Sequence, residues 1–129
     1  MKKTSTSRKP FALWSIGEEE YKLKLTTAEI ARLEQIYGCS LVNLLTNNDS
    51  MPALTVMLDL VHGGLQKYHH GISREDVNEL FDKYVDEGGS QTDLLSDVVM
   101  ELYQVSGFFS KAIENQMVKD LEKAQKKLS

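Results

Sequence analysis

The stretch that decides the fold class is SREDVNELFDKYV, residues 73–85. Its apolar residues recur at the three- and four-residue spacing of one face of an α-helix. They are Val77, Leu80, Phe81, Tyr84 and Val85. Ser73 and Asp76 have the spacing of a capping pair, which satisfies the first free amides of a helix. The stretch therefore predicts an amphipathic helix that begins after Ser73 and ends at the glycine pair Gly88-Gly89.

Further helices are predicted on both sides of this stretch, each beginning after a Ser or Thr that can cap its first turn. They begin after Thr26, near Ser50 and after Ser90, and they end at Gly38, Leu65 and Gly107. The second of them contains the pair Gly63-Gly64, and two glycines inside a helix cost stability unless another element packs closely over them. We expect such a close approach, because the strand and the Lys-Ser/Thr pair of a phosphate-binding loop are both missing.

Two short runs near the N-terminus predict a β-hairpin. On either side of Gly17, apolar residues mostly alternate with polar or small ones: Phe11, Leu13 and Ile16 before it, then Tyr21, Leu23 and Leu25 after it. Two strands alone are marginal, so we expect the hairpin to pack on helices through Trp14. The predicted fold is mainly α, a small helical domain with an N-terminal β-hairpin and a long C-terminal helix. The predicted domains are a disordered basic arm over 1–9, the helical domain over 10–107 and a C-terminal helical extension over 108–129.

The C-terminal extension has only a narrow apolar stripe among many charges. Such a stripe is typical of a helix that docks on another chain, although a frayed or self-packed tail would have the same pattern. Aromatic residues where the extension leaves the domain would serve as anchors. The candidate partner-binding residues are Phe108, Phe109, Ile113, Met117 and Leu121.

Composition and charge indicate the cellular compartment and the kinds of partner that the sequence favours. A single cysteine, Cys39, cannot form an internal disulfide, which favours a reducing, cytosolic compartment. No apolar run is long enough for a membrane span, and the basic N-terminus is not followed by a signal-peptide core. The net charge of −4 argues against a surface built for nucleic acid. Residues 74–101 are strongly acidic, which fits either solvated helix faces or a docking surface for a basic partner.

The sequence offers no residues for catalysis, a cofactor or a metal site. His62 lies three residues after Asp59. The sequence has no His-x-x-x-His pair, no Glu-x-x-His repeated on a second helix and no Cys/His set to complete a metal site. We expect His69 and His70 to cap carbonyls or lie in water at a helix end, and Cys39 to be a buried thiol. Nucleophile elbows and dinucleotide fingerprints are both missing. The chain is therefore predicted not to be an enzyme.

The order of several motifs resembles the tail assembly chaperones of long-tailed, siphovirus-like phages and related proteins of gene transfer agent tail clusters. In that family a strand ending in Leu-Thr feeds a helix with a Leu-Glu pair, and a Gly-x-Ser-Leu turn follows. A later Ser or Thr then caps a helix that begins Glu-Glu/Asp-Val. The matching segments are Tyr21–Glu34 (YKLKLTTAEIARLE), Tyr37–Leu41 (YGCSL), the helix Leu54–Leu65 and Gly71–Val77 (GISREDV).

The resemblance covers about residues 20 to 90 and implies a non-catalytic role in virion assembly. A chaperone of this family binds the tape measure protein, keeps it soluble in the host cytoplasm and helps recruit tail tube subunits. It is absent from the finished particle. Neither nucleic acid nor membrane is an implied partner, and association between copies of the chain stays open.

Two competing functions remain. A structural tail component, such as a tube-completion or connector protein, would share the helical class and would be found in purified virions. A small DNA-binding regulator would use the basic arm, but its recognition helix should carry basic or amide side chains. The most amphipathic helix here, residues 73–87, is acidic, which disfavours the regulator.

Overall fold

The protein is described by a computed structural model over residues 8–46 and 51–110, with single positions at 112, 113, 115, 116, 119 and 123. It is mainly helical and begins with a two-stranded antiparallel hairpin, as predicted. The hairpin strands are β1 (Ala12–Ile16) and β2 (Glu19–Leu23). The helices are α1 (Thr27–Tyr37), α2 (Leu41–Thr46), α3 (Leu54–Leu65), α4 (Arg74–Asp86), α5 (Gln91–Asp93) and α6 (Met100–Val105), and a π-helical segment (Leu94–Val99) joins the last two.

One face of β1 is buried, but it is not the face of Phe11 and Leu13 that the sequence pattern marked as apolar. Ala12, Trp14 and Ile16 are buried, whereas the residues between them are exposed. Trp14 pairs with Tyr21 across the strands. Gly17 has a φ of +60° and occupies the first position of the two-residue turn. A hairpin turn of type II′ has glycine at this position.

One outer amide on each strand of the hairpin is bound by a side chain of the same molecule. The amide of Leu13 donates to a carboxylate oxygen of Glu101 at 3.3 Å. The amide of Lys22 donates to Nε2 of His69 at 3.0 Å. Unpaired strand edges invite further strands to pair with them, so these two side chains protect the hairpin against edge-to-edge association.

Side-chain caps begin three of the helices where the sequence predicted them. Thr26 Oγ1 accepts the amide of Glu29, and Ser90 Oγ accepts the amide of Asp93. Ser73 and Asp76 form the complete capping box, each side chain accepting the other residue's amide. These caps fix where the chain turns from loop into helix.

The pair Gly63-Gly64 permits the close approach that the sequence predicted. A Cβ on Gly63 would lie 3.1 Å from a Leu33 methyl group. A Cβ on Gly64 would lie 3.0 Å from a methyl group of Leu102 and 3.3 Å from Cβ of Leu23. The carbonyl of Gly64 also accepts the amide of Lys24 at 2.9 Å. We call this contact of α3 with α1, β2 and α6 the glycine seam.

Four details differ from the expectations. The helix predicted from near Ser50 begins at Leu54, so Pro52 precedes it. The helix after Ser90 contains the π-helical segment, which single-sequence periodicity does not distinguish from an ordinary α-helix. Val85, placed on the apolar face of α4, is 45% exposed. A long C-terminal helix is not shown, because the continuous helical stretches of the described chain end at Val105.

Candidate protein-binding surfaces

An aromatic cluster lies where the chain leaves the helical domain. The ring of Tyr103 is fully buried and lies 4.4 Å from the ring of Phe108 and 6.2 Å from that of Phe109, centroid to centroid. The Tyr103 hydroxyl donates to the carbonyl of Leu41 at 2.7 Å. Burial raises the pKa of Tyr103 above its ordinary value, so the phenol stays protonated as a donor. Phe108 and Phe109 are thus half-buried residues that pack on the core.

The end of the N-terminal arm lies beside this cluster. The Arg8 guanidinium donates to the carbonyl of Phe109 at 2.6 Å. The Lys9 ammonium forms a 2.7 Å ion pair with Glu101. Both contacts are exposed, and such contacts contribute little to stability. Residues 1–7 of the predicted arm lie outside the described residues.

Of the candidate residues beyond the cluster, Ile113 is described and is 51% exposed. Its backbone is helical, as it is at the other described positions between 112 and 123. Met117 and Leu121 lie outside the described residues. The structure therefore places Phe108 and Phe109 together on Tyr103, and it leaves Ile113 uncovered after them.

A groove separates β2 from α4. Its volume is about 380 Å³, and we call it the α4 groove. The apolar lining consists of Tyr21, Ile72 and Leu80, all half-buried. Charged side chains on α4 complete the lining: Asp76, Glu79 and Lys83. Sequence periodicity assigned Leu80 to the core and could not detect the groove, because its two walls are far apart in the chain.

Two further acidic side chains, Glu87 and Glu19, are close in the chain to residues that line the α4 groove. Glu87 lies next to the hairpin turn, since a Cβ on Gly17 would be 3.7 Å from the carboxyl carbon of Glu87. Glu19 is exposed and lies on the same face of β2 as Tyr21, because side chains alternate along a strand. Hydrogen bonds from the backbone and side chain of Ser73 lower the pKa of Asp76, which keeps this carboxylate ionised.

Asp59 joins three helices through a polar network that the sequence did not predict. The Tyr37 hydroxyl on α1 donates to the Asp59 carboxylate on α3. Arg74 on α4 donates to the same carboxylate through Nε at 2.7 Å and to Asn78 Oδ1 at 2.6 Å. Burial, followed by the hydrogen bond to Asp59, raises the pKa of Tyr37. Each charged group has a partner here, so the network is suited to hold the helices together.

The histidines and the cysteine have structural surroundings. Burial, with the nearby Arg32 guanidinium second, lowers the pKa of His62 below 6.5. His69 accepts the Lys22 amide and packs edge-on against Tyr21, so the expected carbonyl-capping or solvated role was wrong for this residue. Cys39 is partly exposed, so the expectation of a buried thiol was also wrong. Within the described ranges, no three His, Cys, Asp or Glu side chains are grouped to hold a metal ion.

None of the described helices has the length and apolar character needed to cross a membrane. No curated protein and no solved structure matches the chain significantly. The model of DUF6096, a family of unknown function, matches residues 8–128, so this chain belongs to the DUF6096 family.

Proposed function

We propose that this protein is a phage tail assembly chaperone, which binds the tape measure protein and helps recruit tail tube subunits. The resemblance of the segments between Tyr21 and Val77 to that family suggests the partner. The structural observation that supports the proposal most is the exposed Ile113 directly after the aromatic cluster. A binding segment would thus start from a base that is fixed to the core.

This arrangement suits reversible binding of an apolar partner. The rings of Phe108 and Phe109 pack on buried Tyr103, so the start of the extension is held in place before a partner arrives. Preorganisation of this kind lowers the entropic cost of binding. A narrow apolar stripe buries little area, which keeps the affinity modest and allows growing tube subunits to displace the chaperone.

The acidic character of the chain supports the same role. The net charge is −4, and all five acidic residues of α4 are exposed. Net charge keeps proteins soluble and opposes non-specific association. A complex with a long apolar partner would therefore gain solubility from the chaperone's acidic surface.

The experiment that tests the proposal is co-expression with the tape measure protein encoded in the same tail gene cluster. The wild-type chain should keep that protein in the soluble fraction and co-purify with it. Ile113→Ser should reduce the co-purified amount at least several-fold, because it removes an exposed anchor without opening the core. The double variant Phe108→Ser/Phe109→Ser should reduce it further.

Ile36→Ser is the matched control. Ile36 is 60% exposed on α1, so it resembles Ile113 in residue type and exposure but lies outside the proposed surface. The control should retain wild-type co-purification. Circular dichroism of each variant would separate loss of binding from loss of folding. An insoluble tape measure protein in the presence of folded wild-type chain would contradict the proposal.

A further inference from the structure

We propose that the α4 groove binds a basic amphipathic helix of a partner protein, because apolar Tyr21, Ile72 and Leu80 line it together with the acidic side chains Asp76 and Glu79 of α4. The inference rests on the proposed function in one respect: the partner that supplies this helix would be the tape measure protein. The groove is separate from the aromatic cluster, so the chain would offer two contact surfaces.

The shape of the groove fits the apolar face of a helix. Its lining residues Ile72, Asp76, Leu80 and Lys83 follow one side of α4 and the loop before it, so the groove runs along the helix. Tyr21 forms the opposite wall and is held by the edge-on ring of His69. A helix laid in an apolar groove inserts side chains at i, i+3 and i+4 spacing, and leucine-sized residues would contact Leu80 and Ile72.

The charge of α4 favours a basic occupant. Asp76 and Glu79 line the groove beside the apolar residues, and Lys83 is the basic residue in the lining. Acidic peptides would meet like charges on α4. Lysine or arginine side chains flanking an apolar stripe would instead lie opposite carboxylates, which increases the association rate and fixes orientation.

The occupant we propose is a helix of a different protein. The described positions of the C-terminal extension between 112 and 123 are exposed, including Ile113, and none of these described positions lines the groove. The outer amides of Leu13 and Lys22 are bound to Glu101 and His69, which disfavours a partner strand at the hairpin. A helix can instead lay its apolar face in a groove of this kind without pairing to the hairpin.

Binding can be measured with the full chain and synthetic helical peptides. The probe is a fluorescent eighteen-residue peptide of leucine and lysine with an amphipathic repeat, titrated by fluorescence anisotropy at low salt. Its controls are a peptide of the same composition in scrambled order and an amphipathic peptide with glutamate in place of lysine. We expect the leucine-lysine peptide to bind at least about tenfold more tightly than either control, which corresponds to about 1.4 kcal/mol.

Three variants, two of them with a matched control, test whether the peptide binds in the α4 groove. Leu80→Ser should weaken binding about tenfold, whereas Val85→Ser on the other side of α4 should not. Glu79→Lys should weaken binding several-fold more than Glu75→Lys, its exposed neighbour outside the groove. Lys83→Glu should strengthen binding, a result that unfolding could not produce.

Three results would overturn the inference. One is equal binding of the scrambled and amphipathic peptides, which indicates general attraction to an acidic protein. Another is equal weakening by Glu79→Lys and Glu75→Lys. The third is competition by a peptide of residues 111–129 at equal or higher affinity, which would show that the groove serves a second copy of the chain. Because these tests use no tape measure protein, their failure would leave the co-expression result unaffected.

Discussion

Strand β2 contributes residues to two regions, one of which is filled by the chain itself while the other is an open groove. Leu23 is buried in the glycine seam, where Gly64 lets α3 approach it closely. Tyr21 lies two residues earlier on the same face of the strand, yet it lines the open α4 groove. The chain itself fills the first region, whereas the second keeps half-buried apolar side chains among carboxylates. Stability and partner binding should therefore depend on different residues of one hairpin.

The largest effect should come from filling the glycine seam. We predict that Gly64→Val lowers the free energy of unfolding by about 2 to 3 kcal/mol, because its side chain would overlap Leu102 and Leu23. Gly71→Val is the control, since a Cβ there has no neighbour within 4 Å and its φ is not positive. Urea unfolding of both variants measures the difference. Equal stability of the two variants would show that the seam is not tightly packed.

A smaller loss should follow from removing one buried hydroxyl group of the aromatic cluster. We predict that Tyr103→Phe costs about 1 to 2 kcal/mol, because the buried carbonyl of Leu41 loses its donor. Tyr68→Phe is the control, since its hydroxyl makes an exposed, 3.5 Å contact with the carbonyl of Pro10. Thermal unfolding of both variants would test this prediction. If Tyr103→Phe is as stable as the wild type, the hydrogen bond from Tyr103 to Leu41 does not stabilise the fold.

The stability of the fold should depend on pH through His62, which lies on α3 next to the glycine seam. Burial lowers the pKa of His62 in the folded state, so the unfolded state takes up more protons below about pH 6.5. Stability should therefore fall as the pH drops from 7.5 to 5, and His62→Gln should flatten this dependence. Asp76 has a lowered pKa as well, but its contribution is lost only below about pH 3.8. An unchanged slope in His62→Gln between pH 7.5 and 5 would contradict the assignment.

The smallest effect on stability should come from the α4 groove. We predict that Glu79→Lys changes the free energy of unfolding by no more than about 0.5 kcal/mol, because Glu79 is exposed and lies away from the core. The same variant should weaken binding of the leucine-lysine peptide. Urea unfolding and anisotropy on one protein sample measure both quantities. A large loss of stability would mean that the groove is a structural contact.

Local chemistry explains which parts of the fold were predictable. The Ser73–Asp76 capping box and the Gly17 turn depend on residues close in sequence, and both were confirmed. The pair Gly63-Gly64 was informative because helix-interior glycine needs a packing reason. The hairpin and most helices therefore followed from short-range patterns.

Long-range contacts explain the rest. Tyr37 and Asp59 are separated by 22 positions, and Arg8 and Phe109 by 101, so spacing could not pair them. The α4 groove depends on how β2 packs beside α4, and periodicity alone assigned Leu80 to the core. The apolar pattern of the π-helical segment is close to that of an α-helix, so its wider turn could not be recognised from residue spacing. Phe108 and Phe109 remain predicted partner contacts, and the structure adds their packing on Tyr103.

The most direct test of the chaperone role is the amount of this chain in infected cells compared with purified, complete particles. Quantitative mass spectrometry would measure it against the tape measure protein in both samples. The proposed role predicts that the chain co-purifies with the tape measure protein from cells before tail completion and is absent from finished particles. A fixed stoichiometric amount in finished particles would contradict it and would indicate a structural tail component.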